Sequence, residues 1–211
     1  MENRLVIALP KGRLGDDAIK RLNAIGLATS LKKPSRKLIF DEKNIRYILV
    51  KPIDVITYVE NGIADMGIIG SDVILEQDAD VYEIMDLDFG QCKFSVAGLK
   101  EESLYKPNEV IKVATKYPNV SKKYFQAKGQ KIDIITINGS VELAPLLGLS
   151  NVIVDIVETG NTLKANGLVI IEDMVDISAK TIVNRSSYRF KYQAINRLNN
   201  QLKASLKGAK P

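Results

Sequence analysis

With 211 residues and 45% apolar content, the chain can bury the core of one large domain or two small ones, which excludes disordered and fibrous classes. It has no histidine, so Ser-His and Cys-His nucleophile pairs and an imidazole base are excluded, and its single cysteine, Cys92, excludes an internal disulfide and the usual zinc sites. The net charge of +5 suits anionic ligands and plain solubility equally, and scattered basic residues with 6% aromatics give no nucleic-acid-binding pattern.

The first apolar run, 5–9, ends at Pro10 and is too short for a signal-peptide core or a membrane span, so a cytoplasmic protein away from membranes is expected. That run reads as a buried strand, followed by a loop over 10–15 and a helix over 16–25. Residues 37–40 and 45–50 form an expected hairpin around the polar turn Asp41-Glu42-Lys43-Asn44. After Lys51-Pro52, Asp54 is the expected N-cap of a helix over 55–60 that Asn61-Gly62 ends, and 64–69 is another buried strand. Gly70-Ser71-Asp72 is expected to cap the next helix. Further strands are expected near 81–85, 94–98, 111–114, 132–137, 151–157 and 168–172, with helices between most of them. Cys92 is expected to be a small buried hydrophobe. Residues 192–207 place Ile195, Leu198, Leu202 and Leu206 at helical spacing and read as an amphipathic helix covering a core. This alternation implies an α/β fold with mostly parallel sheets, and the polar stretch 86–93 divides it into two lobes with a binding cleft between them.

The strongest chemical signal is the hydrophobic strand that reaches Asp155 and runs into Glu158-Thr159-Gly160-Asn161-Thr162-Leu163. Gly160 lets successive N–H groups turn inward, Thr159 and Thr162 add hydroxyl donors, and the following helix start is weakly positive, which suits a monophosphate. Asp155, taken to end the strand, can accept from the two hydroxyls of a ribose carrying that phosphate. An ordinary strand-to-helix turn gives a similar pattern, so neighbouring segments decide. Lys11-Gly12-Arg13 and Lys51 place cations in loops after strands, where they can meet diphosphate or triphosphate oxygens. Asp54 and Asp72 sit at neighbouring strand ends, where helix capping competes with a site role. In Asn138-Gly139-Ser140-Val141-Glu142, Gly139 makes the turn, Ser140 can cap, and Glu142 either faces the ligand or favours the helix dipole.

Taken together, Ala8-Leu9-Pro10-Lys11-Gly12-Arg13-Leu14, 64–72, 113–118, 138–142, 155–168 and Asn184-Arg185 resemble ATP phosphoribosyltransferase in order and spacing along nearly the whole chain. The resemblance implies a two-lobed, periplasmic-binding-protein-like (type II) α/β fold. Lobe I would span 1–89, completed by 178–211, and lobe II would span 90–177 and carry the phosphate loop. It is similar to the short form of the family, whose catalytic subunits work with a regulatory subunit related to histidyl-tRNA synthetase in a hetero-octamer. The implied reaction joins ATP and phosphoribosyl diphosphate (PRPP) into N1-(5-phosphoribosyl)-ATP and diphosphate, the first step of histidine biosynthesis, with Mg2+ bound through the substrate phosphates. By the same resemblance Lys11, Arg13 and Lys51 are the catalytic cations on the polyphosphates. Asp155, Glu158, Thr159, Gly160, Asn161, Thr162 and Leu163 hold PRPP, Gly12, Asp72 and Glu142 lie nearer the ATP, and no side chain is assigned to the metal. The chain departs from the family pattern at Lys51, where many relatives carry Arg, and at Ser71, where they carry a basic residue. The competing readings are a cytoplasmic small-anion or effector-binding module without turnover, and a phosphoribosyltransferase for a free base.

Overall fold

A computed structural model describes residues 4–31, 36–100 and 109–207. Strand β1 (Leu5–Pro10) leads into helix α1 (Arg13–Ala24), and a short 3-10 turn at Thr29–Leu31 precedes the hairpin of β2 (Ile39–Glu42) and β3 (Ile45–Val50). Next come α2 (Pro52–Glu60), β4 (Met66–Gly70), α3 (Ser71–Gln77) and β5 (Val81–Asp86). They are followed by β6 (Cys92–Gly98), β7 (Ile111–Thr115), α4 (Pro118–Ala127), β8 (Ile132–Thr136), α5 (Leu143–Leu146), β9 (Val152–Val157), α6 (Asn161–Ala165) and β10 (Val169–Ile177). The chain continues through β11 (Ala179–Asn184), α7 (Arg185–Phe190) and α8 (Tyr192–Lys207). None of the described helices is long and apolar enough to cross a membrane.

The chain divides into two compact units. One runs to Ile74, takes Asp78–Gly90 and resumes at Ser178, and the other comprises Leu75–Gln77 and Gln91–Ile177. The first holds a six-stranded sheet in the order β2-β3-β1-β4-β11-β5, the second a five-stranded sheet in the order β10-β6-β9-β7-β8. Both sheets are mixed, which corrects the expectation of mostly parallel strands. Only β3, β1 and β4, and likewise β8, β7 and β9, run parallel, whereas β11 opposes β4 and β5, and β6 opposes β9 and β10. The chain path explains this. β5 leaves the first unit and β11 re-enters it, β6 enters the second and β10 leaves it, and strands of opposite sense pair antiparallel without a crossover helix.

Alternation along each strand feeds a core on both faces of each sheet. β1 sends Leu5, Ile7 and Leu9 to a cluster with Leu22 of α1 and Ile195, Leu198 and Leu202 of α8, and sends Val6 and Ala8 to one with Val55, Ile56 and Val59 of α2. Full burial of each large α8 side chain contributes about 1.5–3 kcal/mol, which is why this stripe fixes the helix in place. In the second unit β9 sends Val152, Val154 and Ile156 to a cluster with Phe125 of α4, and Ile153 and Val157 to one with Ala144 of α5 and Leu163 of α6. Cys92, expected to be buried, is only half-buried at the edge of the former cluster.

The first unit is tied by a buried charge. Asp65, 5% exposed, accepts from the Val6 N–H at 2.7 Å, the Ser187 hydroxyl at 2.6 Å and the Lys191 ammonium at 2.8 Å. Asn184 caps α7 by accepting from the Ser187 N–H, and its amide donates to the carbonyls of Val59 and Glu60. The segment Asn184-Arg185 thus begins with a residue whose side chain is spent on holding the fold.

Candidate functional site

In the second unit, Asp155 lies inside β9 rather than at its end, opposite Ser95 of β6. Its strand neighbours Ile153 and Val157 both face the cluster covered by α5 and α6, so by alternation Asp155 faces that side too. Burial pushes its carboxyl above the usual range. The Ile156 N–H and the Lys116 cation oppose that rise, and Glu142 adds to it. One strand position therefore gathers two carboxylates and a cation from three stretches of chain. Lys116 was not among the site residues read from sequence, and only the register reveals it. Thr115 of β7 pairs with Val154 of β9, and its hydroxyl donates to the Val154 carbonyl at 2.7 Å. Lys116 and Asp155 are the next residue on each strand.

The phosphate-loop candidates follow β9 directly. Gly160 adopts φ 73° and ψ 4°, and a Cβ there would meet only Ile170 Cδ1 at 3.8 Å and Val157 Cγ1 at 3.9 Å. The left-handed backbone, not lack of room, is what asks for glycine. Glu158, Thr159, Asn161 and Thr162 are exposed, whereas the Leu163 side chain is 5% exposed within the core and leaves only its backbone to a ligand. α6 is five residues long with no side-chain cap, so its dipole is small and the turn's N–H groups dominate. Glu142 is half-buried immediately before α5. Ser140 takes φ 49° and uses its carbonyl, accepting from the Leu143 N–H at 3.2 Å, and no side chain caps that helix.

In the first unit the remaining candidates collect at the carboxyl ends of three adjacent parallel strands, where ligands of α/β sheets bind. Pro10 pairs with Val50 and the Lys11 N–H donates to the Val50 carbonyl at 2.8 Å, so Lys11 and Lys51 emerge side by side from β1 and β3. Both are exposed, as are Gly12 and Arg13. α1 begins at Arg13, earlier than the sequence suggests, with Gly12 at φ 92° as its N-cap. Gly15 makes this start possible, because a Cβ there would lie 1.7 Å from the Pro10 carbonyl oxygen. Lys51 and Gly70 are the N-caps of α2 and α3, with no side-chain cap, so Asp54 and Asp72 occupy first turns instead of capping as expected. The Asp72 carboxylate folds over the end of β4, its Oδ1 only 2.1 Å from where a Cβ of Gly70 would stand. Ser71 is buried, and its hydroxyl accepts from the Ser178 N–H at 3.2 Å while its own N–H donates to the Ser178 carbonyl at 2.9 Å. Position 71 is thereby spent on holding the returning chain beside β4.

The family model described as HisG, ATP phosphoribosyltransferase, matches residues 51–204. A curated ATP phosphoribosyltransferase of Clostridioides difficile (strain 630) is 63% identical over 196 residues, covering 92% of this chain and 94% of the relative. Among solved structures, an ATP phosphoribosyl transferase (HisG:HisZ) complex from Thermotoga maritima is similar at TM-score 0.85 and 35% identity, over 97% of this chain and 99% of that one. The periplasmic aliphatic sulphonate binding protein SsuA of Escherichia coli shares the fold alone, at TM-score 0.62 and 13% identity, over 98% of this chain and 73% of that one.

Proposed function

Because this chain belongs to the ATP phosphoribosyltransferase family, we propose a division of the family reaction between its two units. The chain transfers the 5-phosphoribosyl group of PRPP to N1 of ATP, giving N1-(5-phosphoribosyl)-ATP and diphosphate, the first step of histidine biosynthesis. In the second unit, backbone N–H groups around Gly160 and the hydroxyls of Thr159 and Thr162 take the 5-phosphate, and Asp155 accepts from the ribose hydroxyls. In the first, Lys11, Arg13 and Lys51 meet the polyphosphates, with Gly12 and Asp72 nearer the nucleotide. Glu142 stands close enough to act on Asp155, which moves it toward the ribose rather than the nucleotide alone.

The chemistry needs no imidazole. Adenine N1 brings its own lone pair, the N1–C1 bond forms as the C1–O bond to diphosphate breaks, and the charge that builds on the leaving oxygens is met by the exposed cations. Among the described residues no group of three Asp, Glu, Cys or His stands together as a metal site. That donor set fits Mg2+ carried on substrate phosphates, where it would supply further neutralisation of the leaving diphosphate. The observation that carries the reading is the gathering of Asp155, Glu142 and Lys116 beside the left-handed Gly160 turn. The solved Thermotoga maritima complex supports a HisZ-like regulatory partner, related to histidyl-tRNA synthetase, and a hetero-octamer. A cytoplasmic location fits an enzyme of amino-acid biosynthesis.

The test is the absorbance change of phosphoribosyl-ATP formation with ATP, PRPP, Mg2+ and a pyrophosphatase, with and without the HisZ-like subunit. Product only with the subunit is expected. No diphosphate release in either mixture overturns the reading in favour of a binding module, and product with free adenine but not with ATP favours a free-base enzyme.

A further inference from the structure

We propose that Lys116 is a positioning residue for PRPP: standing beside Asp155 at the carboxyl ends of β7 and β9, it keeps that carboxylate charged and able to accept both ribose hydroxyls. The proposal rests on the assignment of Asp155 to the ribose.

The placement follows from register and face. β7 and β9 are parallel neighbours locked at Thr115 and Val154, so the two following residues leave the sheet together. Ala114, two before Lys116, and Ile153, two before Asp155, face the same cluster beneath α5 and α6. Lys116 is exposed, with its ammonium 5.8 Å from the centre of the Tyr117 ring. Tyr117 is itself fixed by its N–H, which donates to the Thr115 hydroxyl at 2.9 Å. The anchor is therefore rigid while the cation reaches along the strand ends.

A half-buried carboxylate with a second carboxylate near it resists ionisation, and a ribose hydroxyl pair needs an acceptor at both oxygens. The groups facing Asp155 are Lys116 after β7, Glu142 before α5, Glu158 of the phosphate loop, Lys164 of α6 and Ser95 of β6. Ser95 donates its hydroxyl to Asp173 at 2.8 Å, and Lys93 of the same strand is held by Asp173 at 3.0 Å. Of the cations in this set, Lys116 is the one that acts on Asp155, against burial and Glu142.

Two readouts separate the proposal from the ribose assignment. Titration of the Asp155 carboxyl by carbon-detected NMR is made on the full chain without substrate, in the native form, Lys116→Met and Lys116→Arg. The Met variant is expected to move the titration to higher pH and the Arg variant to restore it. Kinetics with the HisZ-like subunit then follow KM for PRPP against pH. In Lys116→Met, KM rises about fivefold at the acid end of the profile, the upper range for a partly exposed charge pair, and converges with the native value as pH rises. kcat at saturating PRPP stays the same, and Lys116→Arg rescues KM. An unmoved Asp155 titration overturns the proposal and leaves the ribose assignment standing. A moved titration with equal KM at every pH overturns it through the ribose assignment itself.

Discussion

Each unit withdraws one aspartate from solvent, and the two are used in opposite ways. Asp65 of the first unit is bonded to a backbone N–H, a hydroxyl and an ammonium, and it binds β1, α7 and the entry to α8 into one body. Asp155 of the second is only half-buried, faces one attracting and one repelling charge, and has its carboxyl raised by burial. Withdrawal of a charge marks a strut where its bonding is complete and a site where it is not.

The contrast breaks most visibly at the strut. Asp65→Ala strands the Lys191 ammonium and two donors, so unfolding free energy in a urea titration is expected to fall by about 3–5 kcal/mol. A fall of less than about 1 kcal/mol would show that Asp65 ties nothing. Next comes Asp155→Asn, which trades two charge-assisted acceptor positions for a neutral amide and is expected to lower kcat/KM for PRPP about 100-fold. The same substitution should raise Tm at neutral pH. With its folded carboxyl above the unfolded value, native Asp155 binds more protons than the unfolded chain between the two, so stability falls as pH rises through that window. The amide removes that cost. A lower Tm with intact kinetics would make Asp155 a second strut. The smallest effect is expected at the exposed cation Lys51, where Lys51→Ala raises KM for ATP about tenfold by losing one charge-assisted contact. Lys51→Arg should match or better the native KM, and equal KM in all three would take Lys51 out of the nucleotide's reach.

Strand positions were legible wherever an apolar run met a polar stop, as at 45–50, which β3 reproduces, and at 151–157, where β9 begins one residue later. The hairpin was legible too, although its turn tightens to Lys43-Asn44 once Glu42 pairs with Ile45. β11 was not, because Ser178 alone separates it from β10 and no glycine or proline marks the reversal. Helix starts were misplaced where glycine or lysine stands at the N-cap, since the cap rules look for a side-chain acceptor that Gly12, Lys51 and Gly70 do not supply. The phosphate loop could be read because its residues are consecutive. The company of Asp155 could not, because Lys116 and Glu142 reach it through sheet register and packing that no local pattern encodes.

β11 sits between β4 and β5 in the middle of the first sheet, yet it is synthesised after the whole of β6 to β10. A growing chain on the ribosome therefore carries a six-stranded sheet with its fifth place vacant, β4 ending in an open edge and β5 without its neighbour, until residue 184 has emerged. The second unit, nearly continuous in sequence, meets no such delay and can close first. The last-made segment is also the one that delivers Ser187 and Lys191 to Asp65, so completion of the polypeptide and completion of the nucleotide-facing unit become the same event, and premature termination yields a chain with a bare strand edge and a stranded buried charge.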